Sequence, residues 1–232
     1  MTEKRLSTLT ILLPALNEED GIGEVIDSVP FAALRAAGFE VRVLVVDGHS
    51  TDKTREIAAG RGADVVVQAG RGKGLGVRMG FSLINSDFIV MMDADGTYPT
   101  TAIPIFAERL RNGADVVIGS RFAGGIEEGA MSNVNMLGNR ILTFLASILY
   151  GSKTTDVCTG MWGLNRKAIE TLRLNSTGFE LEAELFAQAS KANLAMREVP
   201  VRYSKRRGTP KLSSLRSGIQ IGLKLLRKKF VR

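Results

Sequence analysis

Two aspartates, Asp93 and Asp95, stand one residue apart within residues 88–99, F-I-V-M-M-D-A-D-G-T-Y-P. Neighbouring carboxylates repel each other unless a cation neutralises them, and hard oxygen ligands suit Mg²⁺ or Mn²⁺ that carries a substrate's phosphates. A polar turn after a strand, with Gly96 and Pro99 as turn formers, is the other interpretation. The motif alone leaves both interpretations open.

Other residues near this motif have the chemistry to bind a nucleotide. Asp47 follows an apolar run and can accept hydrogen bonds from a ribose or a base. Lys73 lies in the glycine-rich loop of residues 70–76, where exposed backbone N–H groups can face phosphate. This loop is neither a Walker A sequence nor a dinucleotide-binding fingerprint, and alone it is most simply a solvated loop.

The elements that must position these groups are strands alternating with helices. Residues 88–92 are all apolar, which predicts a strand buried on both faces at the centre of a parallel sheet. Similar runs at residues 8–13 and 41–46 end at Pro14 and Asp47. We therefore expect an α/β fold with a mainly parallel sheet, whose carboxyl edge is where ligands bind.

Two later segments predict helices with wide apolar faces. Residues 136–150, with Arg140 near their start, form either a core helix or an interfacial one. The last helix is expected from about Leu212, with basic residues on its other faces. It could lie on a membrane or pack on the domain. Its apolar positions recur every three or four residues: Leu212, Leu215, Ile219, Leu223, Leu226 and Phe230.

Composition restricts the function classes. Residues 197–232 contain twelve Lys or Arg and a single acid, so the net charge of +7 belongs to this end and suggests a polyanionic partner. One cysteine and one histidine, Cys158 and His49, argue against an internal disulfide and most histidine-based sites. We expect no secretory signal, and no apolar run approaches the roughly 20 residues that span a bilayer.

The order of the motifs resembles the inverting glycosyltransferases of family 2, which have the GT-A (Rossmann-like) fold. Within that family the chain is most similar to dolichyl-phosphate mannose synthases and related polyprenyl-phosphate glycosyltransferases. The likeness covers most of residues 8–204. It rests on L-P-A-L-N-E-E (13–19), V-V-D-G-H-S-T-D (45–52), G-K-G (72–74), M-D-A-D-G (92–96), G-S-R-F (119–122), T-G-M-W (159–162) and the segment from 199 to 211.

The resemblance implies a role for each matching residue. The metal, Mg²⁺ or Mn²⁺, would be bound by Asp93 and Asp95. The catalytic residues would be Asp93, Asp95, Arg121 and Arg140. The nucleotide would be bound by Pro14, Ala15, Asn17, Glu18, Asp47, Lys73, Asp93 and Ala94. The acceptor phosphate would be bound by Arg121, Arg140, Arg202 and Lys211.

The chain departs from the family pattern in two places, of which the second leaves the donor open. It has Asp-Gly-His-Ser at residues 47–50 where relatives often have Asp-Asp-Gly-Ser, which removes one carboxylate and leaves His49 unexplained. It has Gly-Thr-Tyr-Pro at residues 96–99 where mannose synthases commonly have Leu-Gln-His-Pro. GDP-mannose, UDP-glucose and UDP-N-acetylglucosamine all stay possible. Glu182 and Glu184 could face the sugar, although a solvated helix face is the simpler interpretation.

The main hypothesis is a metal-dependent glycosyltransferase that makes a polyprenyl-phosphate sugar. Residues 1–204 would form the transferase domain, and residues 205–232 a basic loop and amphipathic helix on an anionic membrane surface. The protein would be cytoplasmic and peripheral on the inner face of the membrane. The alternatives are transfer to a soluble phosphorylated acceptor or glycan, and a basic nucleic-acid-binding module, which we do not expect because few aromatic residues are available to stack on bases. The oligomeric state is open.

Overall fold

A seven-stranded sheet forms the centre of the molecule. The structure is a computed structural model that describes residues 6–208 and 214–230. The strand order is β3-β2-β1-β4-β6-β5-β7, and only β6 runs antiparallel to its neighbours, β4 and β5. The expected mainly parallel sheet is confirmed. The strands are β1 (Ser7–Ala15), β2 (Phe39–Asp47), β3 (Asp64–Val67), β4 (Phe88–Met91), β5 (Val116–Ser120), β6 (Trp162–Asn165) and β7 (Met196–Pro200).

Strand β4 is the middle strand of the seven, as its apolar sequence predicted. Its last three residues are buried. Parallel pairing aligns Leu12 of β1 with Met91 of β4, and Ala15 of β1 with Asp47 of β2. Because these strands run in the same direction, the segments that follow them meet at one edge of the sheet. Asp47 and Asp93 therefore belong to the same edge.

Helices cover both faces of the sheet. Side chains of β1 alternate between two hydrophobic clusters, with Ile11 and Leu13 in one and Leu12 in the other. Three short helices, at residues 31–36, 121–124 and 166–171, were not predicted. The helices are α1 (Ile22–Asp27), α2 (Phe31–Ala36), α3 (Thr54–Gly60), α4 (Lys73–Leu83), α5 (Ile103–Arg111), α6 (Arg121–Gly124), α7 (Asn133–Tyr150), α8 (Arg166–Thr171), α9 (Leu181–Lys191) and α10 (Ser214–Phe230), with a 3₁₀ turn at Thr100–Ala102.

The last helix, α10, packs on α7 and α9 through a face different from the expected apolar stripe. It buries Ser217, Ile221 and Leu225. The stripe positions that can be described are exposed instead: Ile219, Leu223, Leu226 and Phe230. Leu212 lies outside the described residues. The apolar residues of α10 thus occupy both a packed face and an exposed one.

Helix α7 also exposes apolar side chains, unlike a core helix. Thr143 and Ala146 are its buried residues. Its exposed apolar side chains recur every three or four residues: Val134, Leu137, Ile141, Phe144 and Ile148. In residues 6–208 and 214–230, no helix combines the length and hydropathy of a membrane span.

Candidate active site

A cavity of about 1180 Å³ opens at the carboxyl edge of the sheet. Ligand pockets are commonly about 300–1,000 Å³, so this cavity has room for more than one small ligand. It brings together eight of the residues selected from the sequence: Pro14, Ala15, Glu18, Lys73, Asp93, Ala94, Asp95 and Arg121.

A buried cluster of three charges lies in the wall of this cavity. Lys73 Nζ is 2.6 Å from Asp93 Oδ1 and 2.7 Å from Glu182 Oε1. Burial alone would lower the pKa of Lys73, but the two carboxylates outweigh it and raise the pKa above the usual value. Burial raises the pKa of Glu182, an effect that Lys73 opposes. The ammonium group therefore stays charged in the cavity wall.

Glycines fix the position of this cluster. At Gly72, φ is +114°, and a Cβ there would overlap the carbonyl oxygen of Thr177. At Gly160, a Cβ would overlap the carboxylate of Asp93. The loop around Lys73 is therefore packed against residues 176–178 rather than solvated.

Asp95 is held on both of its carboxylate oxygens. Oδ1 accepts hydrogen bonds from the backbone N and the Oγ1 of Thr97, at 3.0 and 2.6 Å. Oδ2 lies 3.1 Å from Arg206 Nη2, which also contacts Glu18 Oε1 at 3.1 Å. Burial, followed by the charge of Asp93, raises the pKa of Asp95. Two carboxylates that raise each other's energy in this way form a site that a cation would stabilise.

The oxygen ligands present fit a divalent cation whose coordination shell is completed by a bound substrate. Within the described ranges, no cluster of three or more His, Cys, Asp or Glu could hold a metal by itself. Mg²⁺, however, is commonly bound by one or two carboxylates together with substrate phosphates and waters. Asp93 and Asp95 supply that number of protein ligands.

The end of β2 forms the opposite side of the site. Asp47 is buried, and its Oδ2 accepts from the backbone N of His49 and of Ser50, both at 3.0 Å. Its Oδ1 is buried with no hydrogen-bond partner among the described side chains and backbone. Asn17 Oδ1 accepts from Thr51 N at 2.8 Å. Asp47 and Asn17 thus shape the turns around the cavity and are not part of its wall.

His49, whose role the sequence did not explain, lies in the cavity wall. Its backbone φ is +71°, and its Nε2 lies 3.0 Å from Gly70 O. Because a carbonyl oxygen only accepts, Nε2 must carry the proton in this contact. The histidine therefore ties the end of β2 to the loop that leads to Lys73.

The four residues assigned to an acceptor phosphate are not all brought together. Arg121 is buried in the cavity wall, where Nε and Nη2 donate to Asp156 at 2.6 and 2.7 Å. Arg140 is exposed and lies over the Phe122 ring at 5.4 Å, and Arg202 is exposed. Neither belongs to the described cavity wall. Lys211 lies outside the described residues.

Two charged residues of the cavity wall, Arg71 and Arg206, were not selected from the sequence, and Glu182 was named there only as the less simple interpretation. The expectation of a solvated helix face for Glu182 and Glu184 was wrong, because residues 181–187 are all buried. The signal was present in the sequence, since L-E-A-E-L-F-A has apolar residues on all sides of a helix. Arg206 had no such signal, because only the tertiary fold places it beside Asp95.

Glu184 pins α10 to α9. Its carboxylate accepts from Asn175 N and Ser176 N and pairs with Lys224 and Lys228. Burial would raise the pKa of Glu184, but hydrogen bonds from Lys228 and Ser176 lower it to about 2. Two lysines of the basic C-terminal end are thus used inside the molecule.

Two helices form an apolar part of the cavity wall. Helix α7 contributes Val134, Ile141 and Leu142, and α10 contributes Ile219 and Ile221. We call this part of the wall the apolar end, and the part with Lys73, Asp93 and Asp95 the charged end of the same cavity.

Comparisons with known proteins agree with this architecture. The family model described as "Glycosyl transferase family 2" matches residues 10–173. The chain is 33% identical over 228 residues to a dolichyl-phosphate hexose transferase of Haloferax volcanii, covering 98% of this chain and 96% of the relative.

Two further matches differ more in length or sequence. The low-salt glycan biosynthesis hexosyltransferase Agl6 of Haloferax volcanii is 38% identical over 213 residues, or 91% of this chain, and the match spans about half (51%) of that relative. Glucosyl-3-phosphoglycerate synthase from Mycobacterium tuberculosis, solved with Mn²⁺, UDP and glucosyl-3-phosphoglycerate, superposes with a TM-score of 0.75 at 23% identity, covering 96% of this chain and 80% of that one. At this identity the superposition shows a shared fold.

Proposed function

The chain belongs to glycosyltransferase family 2, and from this premise we propose that it transfers a sugar from a nucleoside diphosphate donor to a polyprenyl phosphate. It would be a metal-dependent, inverting enzyme that acts at a membrane surface. The relative named as a dolichyl-phosphate hexose transferase, similar along almost the whole chain, supports the acceptor class.

One observation carries this proposal: the cavity joins a charged end to an apolar end. Asp93, Asp95 and Lys73 line the first, and Ile141 and Ile219 line the second. A polyprenyl phosphate has a matching division, with an anionic head and a long hydrocarbon tail. A soluble phosphorylated acid would leave the apolar end without a ligand.

The chemistry needs little from the protein beyond positioning and charge. An acceptor phosphate is already an anion near neutral pH, so it can attack the anomeric carbon without a general base. Direct displacement of the nucleoside diphosphate would invert that carbon. Asp93 and Asp95 would hold the divalent cation, which supplies neutralising charge to the departing diphosphate.

The donor would lie along the polar wall. Pro14, Ala15, Glu18 and Ala94 would contact the nucleoside, with Asn17 and Asp47 holding the surrounding turns. Lys73 would approach the diphosphate, since Asp93 and Glu182 keep it charged. The base and the sugar stay open among GDP-mannose, UDP-glucose and UDP-N-acetylglucosamine.

Arg121 is the best-placed cation for the acceptor phosphate. It is buried in the cavity wall, and Asp156 fixes its guanidinium through two nitrogens. A guanidinium held in this way needs no reorganisation when an anion arrives. Arg140, Arg202 and Lys211 stay predictions for the same role.

The membrane surface would be the exposed apolar face that α7 and α10 share. Nine of their apolar side chains are between 40% (Leu226) and 79% (Phe230) exposed. So many exposed apolar side chains on two helices that pack together indicate an interaction surface. This face borders the apolar end of the cavity, so a bilayer bound to it would deliver the lipid tail directly to the cavity. Arg227 and Lys229 would then lie near lipid phosphates. The protein would be peripheral, on the inner face of a membrane.

The test is a transfer assay with Mn²⁺, the three nucleotide sugars and a short polyprenyl phosphate in vesicles. We expect a lipid-linked sugar with one of the donors. Turnover of a soluble phosphorylated acceptor in lipid-free buffer, with no lipid product, would overturn the proposed acceptor. Steeply salt-dependent binding of RNA or DNA without any sugar transfer would favour a nucleic-acid-binding module instead.

A further inference from the structure

Arg206 occupies the place where a metal ligand would be needed. Its Nη2 lies 3.1 Å from Asp95 Oδ2 and 3.1 Å from Glu18 Oε1, and the side chain is only 24% exposed. The other oxygen of Asp95 is taken by Thr97. Each carboxylate oxygen can accept more than one contact, but a divalent cation on Asp95 would place its charge beside the guanidinium of Arg206, so the cation and this contact compete.

The Thr97 contacts are the harder ones to break. Thr97 is two residues from Asp95 and donates both its backbone N–H and its hydroxyl, so the turn itself holds them. Arg206 reaches Asp95 from a segment more than 100 residues away. The contact that yields to a cation is therefore the one with Arg206.

The backbone of residues 203–208 lies directly over the metal-binding turn. Ser204 N donates to Thr97 O at 2.9 Å, and Arg207 N donates to Asp95 O at 3.0 Å. The Arg207 side chain pairs with Glu24 of α1. We call residues 203–208 the basic strap, because it ties Arg206 across the polar end of the cavity.

The guanidinium of Arg206 is incompletely satisfied in this arrangement. Its Nε is buried and has no hydrogen-bond partner among the described residues. A buried N–H donor without a partner is destabilising, and a phosphate oxygen would supply the missing acceptor. Arg206 is part of the cavity wall, so a donor phosphate could reach it.

We propose that Arg206 competes internally with the divalent cation for Asp95 and becomes a phosphate ligand once it is displaced. The inference rests on the proposed metal and donor binding, and it adds an exchange of partners. The strap keeps Asp95 neutralised before the donor arrives. It then moves its positive charge from the carboxylate to the diphosphate.

The experiment compares Arg206→Gln with Lys205→Gln, an exposed neighbour whose loss changes the charge equally. Binding of Mn²⁺ alone is measured by electron paramagnetic resonance of the free ion. UDP and GDP binding is measured by calorimetry at saturating Mn²⁺. We expect Arg206→Gln to bind Mn²⁺ roughly five-fold more tightly and the preferred nucleotide about ten-fold more weakly. Lys205→Gln should match the wild type in both.

The outcomes separate the strap from the metal site. Asp95-dependent Mn²⁺ binding in the wild type, with unchanged or weaker binding in Arg206→Gln, would overturn the exchange and leave the proposed function standing. Mn²⁺ binding that Asp95→Ala does not weaken would overturn both. If circular dichroism shows that Arg206→Gln does not fold, Arg206→Lys replaces it. A lysine keeps the charge, but its single ammonium cannot reproduce the planar set of guanidinium donors. Tighter Mn²⁺ binding is expected there too, and unchanged binding would overturn the exchange.

Discussion

The two ends of the cavity are built from different kinds of element. The carboxylates of the charged end, Asp93 and Asp95, follow β4, and strand register places them at the same edge of the sheet as the end of β2. The apolar end comes from α7 and α10, whose apolar residues are divided between a packed face and an exposed one. The sheet fixes the positions of residues at strand ends, while the position of a residue on a helix depends on which face of that helix packs against the domain. The first kind can be located from a sequence more securely than the second.

The largest effect should come from the charged end. Asp95→Ala removes a proposed metal ligand, and we expect kcat/KM for lipid-linked sugar formation to fall by about 10³-fold. Asp20→Ala removes an exposed acid and should leave the rate unchanged. Full turnover by a correctly folded Asp95→Ala variant would show that this carboxylate has no catalytic role.

The apolar end should control membrane contact rather than chemistry. Replacing Phe144 and Phe230 together by Ser should weaken binding to vesicles of phosphatidylglycerol and phosphatidylcholine by roughly 30-fold, from about 1 kcal/mol for each ring. Phe31→Ser provides the control, because Phe31 is exposed on α2, outside the helix pair. Equal losses in both variants, measured by co-sedimentation, would mean that the helix pair is not the binding surface.

Glu184 joins α9, which carries Glu182 of the charged end, to α10 of the apolar end. Glu184→Gln removes the charge that holds Lys224 and Lys228, so we expect the free energy of unfolding to fall by about 1.5 kcal/mol in urea denaturation. Glu170→Gln changes an exposed acid and should cost almost nothing. An unchanged midpoint in Glu184→Gln would mean that apolar packing alone holds α10.

We also expect the stabilisation by the Glu184 carboxylate to depend on pH, which is a smaller effect. The pKa of this carboxylate is about 2 in the folded protein, below the ordinary value of 4.5. Its stabilisation is therefore complete above about pH 4.5 and disappears as the pH falls towards 2. The stability difference between the wild type and Glu184→Gln should shrink over this range. A constant difference from pH 6 to pH 2.5 would contradict the ion pairs.

Much of the fold followed from the sequence because apolar runs end at polar residues. The central position of β4 and the parallel direction of most strands were predicted and are confirmed. The antiparallel direction of β6 was not predicted, since the short run at residues 162–165 has no feature that sets its direction. The helices expected at residues 136–150 and from about Leu212 are found at Asn133–Tyr150 and Ser214–Phe230, although the short α2, α6 and α8 were missed.

The site was predicted less evenly. Strand-end residues such as Asp93 and Ala15 lie in the cavity, as expected. Arg202 is exposed and does not line the described cavity wall, whereas its neighbour Tyr203 does. Arg206 reaches the site four residues after Arg202. Pairings between distant segments, such as Arg206 with Asp95, have no local sequence signal.

The strand order has a consequence for synthesis. Strands β1 to β4 are complete once residue 91 is made, and they pair with one another as β3-β2-β1-β4. Strand β5 pairs with β6 and β7, which both come later in the chain. A nascent chain that has just completed β5 therefore carries a strand with two open edges, the kind of surface that invites aggregation. The strands that place Asp47 and Asp93 can assemble first, and β6 must insert beside β4 before β5 can join the sheet.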